Sequence, residues 1–328
     1  MIIENAILHI FDFSTDTQLL SDVTIDLSDV AVYDYLTKQL KNCLNSTNTK
    51  HAKLNLDSSF AKIYQEDDFV ESSKELASEI YRLLSMSNSR NPFDLLIIRY
   101  TESEVAFLAM IFLKHKPAFT RIIEQSDLGF EIKMIAHSSI FVGANQKIDN
   151  FAIVNLISGG LSIQEDEIDI NGETSPLFAK NLFNCDKVNE PTKEILKKVN
   201  KVVEEVAKEY DENPTIALTR TKNYLNEKLE EESEIKALEI SNEVFPDSLV
   251  MQAKFESLVK DYAIPEEIKV DKKVVSKVAK NQKIKTDTGI EITFPSEYSE
   301  NHDFIEFLNN PDGTISIQIK NIAKISNK

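Results

Sequence analysis

The chain has 328 residues, 42% of them hydrophobic and 28% charged, which suits a globular protein of more than one folding unit and excludes a disordered chain. Lysine and arginine number 37 against 54 acids, and the formal net charge of −17 excludes an ordinary DNA-binding domain that is basic throughout. Two cysteines, Cys43 and Cys185, are too few for a disulfide framework and fit a reducing cytoplasm.

The start, Met1-Ile2-Ile3-Glu4-Asn5, lacks a basic n-region and a small-residue cleavage site, so no signal peptide is expected. Ala6 to Phe11 and Val23 to Leu27 read as short paired strands. Asp29 is placed to cap a helix running to about Leu44, and Asp67 to Met86 repeats that pattern, with Phe69, Leu76, Ile80 and Leu83 or Leu84 as its apolar stripe. Phe93 to Tyr100 and Val105 to Leu113 follow as a hairpin of largely buried strands. Val105 to Leu113 is also the longest apolar run, about half of the roughly 20 residues a membrane-spanning helix needs, so no membrane contact is expected. Phe119 to Glu124, Phe130 to Ala136 and Phe151 to Ile157 read as further strands of one sheet, and Ser158-Gly159-Gly160 as a turn before Leu161 to Ile163.

From about Ser175 the texture turns helical. Lys193 to Tyr210 carries a stripe of Ile195, Val199, Val202, Val206 and Tyr210, and Pro214 can open the next helix. Ile216 to Leu229, Ser233 to Ile240 and Ser248 to Tyr262 complete the array. Two hairpins close the chain, Ile284-Lys285 with Ile290 to Phe294, and Phe304 to Leu308 with Thr314 to Ile319. The expected class is α+β: an N-terminal α/β domain over 1–170 with a mostly antiparallel sheet, a helical region over 171–265, and a basic helix with a small β-rich unit over 266–328.

Catalytic signatures are missing. None of the seven glycines falls in Walker A or dinucleotide spacing, and Gly-x-Ser-x-Gly, Cys-x-x-Cys and His-Glu-x-x-His are absent. The five histidines are scattered; His9, between Leu8 and Ile10, reads as a strand residue meeting solvent or a partner. Glu165-Asp166-Glu167 with Asp169 could hold a divalent ion, but surface charge bracketing an edge strand is the reading preferred. No catalytic residue, metal ligand or cofactor is assigned, and a binding protein is expected rather than an enzyme.

Charge is unevenly spread. Residues 1–150 carry net −7, residues 151–265 net −10, and residues 266–328 net zero. Within the last segment, Lys269, Lys272, Lys273, Lys277, Lys280, Lys283 and Lys285 face a single acid, Asp271. In a helix begun by Asp271, Lys273, Lys277 and Lys280 share one face while Val274, Val275 and Val278 anchor the other. Three roles fit: a solvated cover for the C-terminal sheet, contact with backbone phosphates without sequence readout, or contact with an acidic protein. A second cluster, Lys193, Lys197, Lys198 and Lys201, sits beside Glu204, Glu205 and Glu209 and reads as ion pairing on a helix surface.

The order of segments resembles the 37-kDa nucleoid-associated protein family. The resemblance runs through Asn91-Pro92-Phe93 to Lys114, Lys147-Ile148-Asp149 to Leu161, the helical stretch ending Phe245-Pro246-Asp247 with Phe255 and Tyr262, and the tail with Pro311-Asp312-Gly313-Thr314-Ile315-Ser316-Ile317. It implies a bacterial cytoplasmic protein found with the nucleoid and credited with DNA binding, with no catalytic residues to carry over. Glu165 to Glu173 is acidic where the family is glycine- and base-rich. The lysine-rich segment would then carry the DNA contact, or the association would run through a DNA-processing enzyme such as a topoisomerase. A homo-oligomer is compatible with either.

Overall fold

Two units divide the chain, Met1–Glu190 and Pro191–Lys328. The computed structural model describes residues 1–324 except 14, 88–92, 127–128, 142, 144–145, 171, 232–233, 270–274, 276–280, 296–297, 299–303 and 311–313.

The first unit holds β1 (Ile2–Asp12), β2 (Thr17–Leu19), α1 (Val30–Leu44), β3 (Lys50–Lys53), α2 (Ser59–Ile63), α3 (Phe69–Ser85), β4 (Phe93–Glu102), β5 (Val105–Ser126) and β6 (Gly129–Phe141). It continues through β7 (Phe151–Asn155), β8 (Gly160–Gln164), β9 (Glu167–Ile170), β10 (Glu173–Pro176), a π-helical turn (Leu177–Leu182) and β11 (Val188–Asn189). Its main sheet runs β11-β3-β8-β7-β5-β4-β1-β2 with antiparallel pairing.

The expected central hairpin forms. Glu102 pairs with Val105 across Ser103 and Glu104, whose positive φ values of 49° and 65° give a turn matched to the right-handed strand twist. Its strands are apolar on both faces because both faces are covered. Leu95, Ile97, Leu108 and Met110 pack with Leu76 and Ile80 of α3. Leu96, Ile98, Ala109 and Ile111 pack with Leu36 and Leu40 of α1. Asp29 caps α1 as expected, accepting from the N–H groups of Ala31 and Val32, whereas the cap of α3 is Asp68, one residue past the expected start at Asp67, accepting from the N–H of Glu71. Gly159, at φ 68°, turns β7 into β8.

Three expectations for this unit need correction. Val23 to Leu27 is not a strand. Ile25 donates one backbone hydrogen bond to the Ala6 carbonyl, while Ser21 and Asp26 hydrogen-bond to nearby backbone and hold the segment in turns. β2 at Thr17–Leu19 pairs with β1 instead. The segment after Ser175 is first β10 and a π-helical turn, with the long helices beginning only at Thr192. Finally, Phe119 to Glu124 and Phe130 to Ala136 join the sheet only through β5 and lie off its main path. The first is the far half of β5, which pairs β7 only over 107–111 and, from His115 onward, pairs β6. The register shifts between Lys116 and Ala118, at Pro117, which has no N–H to give a ladder. Beyond that bulge β5 and β6 form a two-stranded ribbon off the path of the sheet.

The second unit holds α4 (Thr192–Glu209), α5 (Pro214–Glu231), β12 (Glu234–Lys236), α6 (Ala237–Val244), α7 (Leu249–Asp261), β13 (Glu267–Lys269), and two hairpins, β14 (Asn281–Lys285) with β15 (Glu291–Pro295) and β16 (Ile305–Asn309) with β17 (Ile315–Ile319). Ile195, Val199, Val202 and Val206 of α4 are buried with Ile240 of α6 and Phe255 of α7, and Pro214 opens α5 as anticipated. The expected helix over Ser233 to Ile240 is overturned in its first half. Ile235 is buried opposite Ile268, and pairing with β13 holds Glu234–Lys236 extended. The fold as a whole is α+β, as the pattern of elements implied.

Candidate nucleic-acid interface

The lysine-rich stretch follows β13. Lys269 ends that strand opposite Glu234, just after the exposed acids Glu266 and Glu267. Lys272, Lys273, Lys277 and Lys280 lie outside the described residues, as do Asp271, Val274 and Val278. Val275 is described; it is helical and fully buried in the core of the second unit, the anchoring role given to that face.

Lys283 and Lys285 lie two residues apart on β14 and therefore on one face of the hairpin. Ile284 and Ile292, paired across the strands, are half-buried on the opposite face, and Phe294 beyond them is buried. The alternation turns both ammonium groups outward. They are not bare: Glu291 lies 2.8 Å from Lys283 Nζ and 3.9 Å from Lys285 Nζ. Two cations and one shared carboxylate leave about one net positive charge on this face, weakly held because all three side chains are exposed. The turn itself is self-contained: the Thr286 N–H donates to the Ile290 carbonyl at 2.9 Å, and Gly289 takes φ 89°.

The α4 lysines behave differently. Lys197 pairs with Glu194 at 2.8 Å and Lys208 with Glu204 at 2.9 Å, and Lys254, which comes from α7, pairs with Glu209 of α4 at 2.9 Å. Lys201 lies 4.9 Å from the centre of the Tyr262 ring, whose hydroxyl donates to Glu205. This face is a lattice of mutual neutralisation, as its composition suggested.

The acidic stretch after the central sheet is also committed internally. The Glu165 carboxylate accepts from the N–H groups of Phe178 at 2.5 Å and Ala179 at 3.1 Å, capping the π-helical turn. Burial pushes its pKa up, against the pull of those backbone donors and of Lys50. Asp166 and Asn150 bond each other twice, and Asp169 accepts from the Gly172 N–H. Among the described residues no three histidine, cysteine or carboxylate side chains converge on a metal position.

His9 is a strand residue of β1, as expected, but its surroundings need correction. It is fully buried, not solvent-facing, because Ile7, His9 and Phe11 alternate onto the face of β1 that α3 covers. Its Nδ1 accepts from the Ser21 N–H at 3.2 Å and its Nε2 lies 3.2 Å from Ser73 Oγ. The Ser73 hydroxyl in turn donates to the Val70 carbonyl at 2.7 Å. Burial, with a smaller contribution from Lys74, lowers the pKa to about 4, so the ring is neutral.

The apolar face of the β5–β6 ribbon is the surface that sequence reasoning passed over. Its signal was there: Phe130, Ile132 and Met134 alternate with Glu131 and Lys133. Period two says that one face is meant to be covered; it does not say by what.

Among the described residues no helix is long and apolar enough to cross a membrane. No curated protein matches the chain. The family model described as nucleoid-associated protein YejK, which is not a known enzyme family, matches residues 7–326. That span takes in both units and all but a few terminal residues, so this protein belongs to the nucleoid-associated protein YejK family.

Proposed function

We propose that this protein binds DNA directly, weakly and without strong sequence preference, through Lys269, Lys272, Lys273, Lys277, Lys280, Lys283 and Lys285. The observation that carries this is the outward pair Lys283 and Lys285, continuing a seven-lysine run in the C-terminal segment, where bases and acids balance. Membership of a nucleoid-associated family supports it. An ammonium group neutralises a phosphate but cannot read a base edge bidentately, so affinity comes without readout. The field of a −17 molecule opposes the approach, which keeps binding weak.

The test is a mobility-shift series across salt concentration. The log of affinity should fall with log salt at a slope of roughly −4 to −6, and changing these lysines to glutamate should abolish the shift. Unchanged affinity in the mutant removes this surface from DNA binding.

A second reading is favoured by the net charge and by Glu291, which already occupies the outward lysines: an acidic adaptor that reaches the nucleoid through a basic surface of a DNA-processing enzyme such as a topoisomerase. Protein that ignores bare DNA at moderate salt, yet is retained by such an enzyme, decides for it.

A further inference from the structure

We propose that the exposed apolar face of the β5–β6 ribbon is the contact surface for a second copy of this chain. The register assigns the faces. Phe119 with Ala136, Arg121 with Met134, Ile123 with Ile132 and Gln125 with Phe130 are opposed pairs on one side. Ala118 with His137, Thr120 with Ile135, Ile122 with Lys133 and Glu124 with Glu131 lie on the other.

The first face is laid open. Phe119 is 70% exposed, Ile123 57%, Phe130 74%, Ile132 67% and Met134 75%. Five such side chains in one stripe amount to about 700 Å² of apolar surface, above what a monomer ordinarily leaves uncovered. Two copies would bury about 1,400 Å² between them, the size of a standard stable interface. A two-stranded ribbon to which, among the described residues, no third strand pairs is also marginal in water unless something covers its apolar side.

Charge selects the occupant. Residues 115–141 carry three bases and three acids, so the ribbon is neutral in a molecule of net −17. Most of this surface repels a second copy; the ribbon does not. The opposite face settles its own charges, with Lys133 Nζ 2.6 Å from Glu124 and 3.3 Å from Glu131. Among the described residues of the apolar face Arg121 is the one charged side chain. A phosphate backbone would need several cations there, and a charged protein partner would need a complementary array. A second apolar stripe needs neither. The stripe is self-complementary, as a two-fold contact requires. An axis through the Ile123–Ile132 rung sets Arg121 of each copy against the Gln125–Phe130 rung of the other. An amide oxygen and an aromatic face are both suited to a guanidinium.

Sedimentation velocity of the full chain, over concentrations up to about 100 µM, tests the contact. The expected result is a dimer for the natural sequence. Ile132→Glu with Met134→Glu should give a monomer whose circular dichroism and melting are unchanged, since both side chains are already in water. A monomer at every concentration for the natural sequence overturns the proposal, and so does a dimer that persists in the double variant. Should that variant fail to fold, Ile123→Cys is the second probe. An intermolecular disulfide through that position on mild oxidation supports the two-fold, and its absence refutes it. Loss of DNA binding in the double variant with no change of mass would give the ribbon to nucleic acid and also overturn the proposal.

Discussion

Acidification should destabilise the first unit through His9. The ring accepts a hydrogen bond from Ser21 N–H at Nδ1, so protonating that nitrogen sets two donors against each other in a fully buried site. The folded pKa, about 4, lies below the ordinary value of 6.5. As pH falls through 6.5 the unfolded chain takes up the proton first. The contribution is therefore complete above pH 6.5, shrinks as pH falls and is gone below about 4. At 1.36 kcal/mol per unit, the gap is worth about 3 kcal/mol in full, and about 2 kcal/mol of it is lost by pH 5. Urea denaturation at pH 7.5 and 5.0, followed by far-ultraviolet circular dichroism, reads this out in the transition of Met1–Glu190. His9→Gln is the control, because its amide can accept from Ser21 and donate to Ser73 but does not titrate. The natural protein should lose about 2 kcal/mol more than the variant between the two pH values. Equal losses, or a His9 proton resonance titrating near pH 6.5, would refute the reasoning.

Glu165→Ala should strand the Phe178 and Ala179 N–H groups and lower the stability of the first unit by about 2 kcal/mol, measured by the same denaturation. Burial raises the Cys185 pKa to about 11 and that of the fully buried Cys43 further. Thiol labelling of the folded protein at pH 8 should therefore be about a hundredfold slower at Cys185 than for a free cysteine, and slower still at Cys43. Glu291→Gln frees Lys283 and Lys285 from their shared carboxylate and should strengthen DNA binding in the mobility-shift series, with a salt slope steeper by about one. An unaltered slope would mean that these two lysines do not touch phosphate.

What the amino-acid sequence determined by itself was whatever is written locally. Asp29, Asp68 and Ser248 stand at helix starts because a short acceptor side chain satisfies backbone N–H groups within three residues, and all three do so. The β4–β5, β14–β15 and β16–β17 hairpins were legible because strand and turn lie within about 25 residues of chain. The lysine run was equally plain, though four of its seven residues lie outside the described structure. Tertiary structure alone decided the rest. Glu234–Lys236 is a strand because Ile268, more than 30 residues later, pairs with Ile235. His9 is buried because α3 lies over its face of β1, and nothing in Leu8-His9-Ile10 carries that information. The ribbon leaves the sheet at Pro117, since β7 meets β5 only up to Ile111. In each case the residue's own preference is worth about 1 kcal/mol or less, whereas burial against a distant partner is worth several. A pattern within one window cannot report which distant segment will arrive.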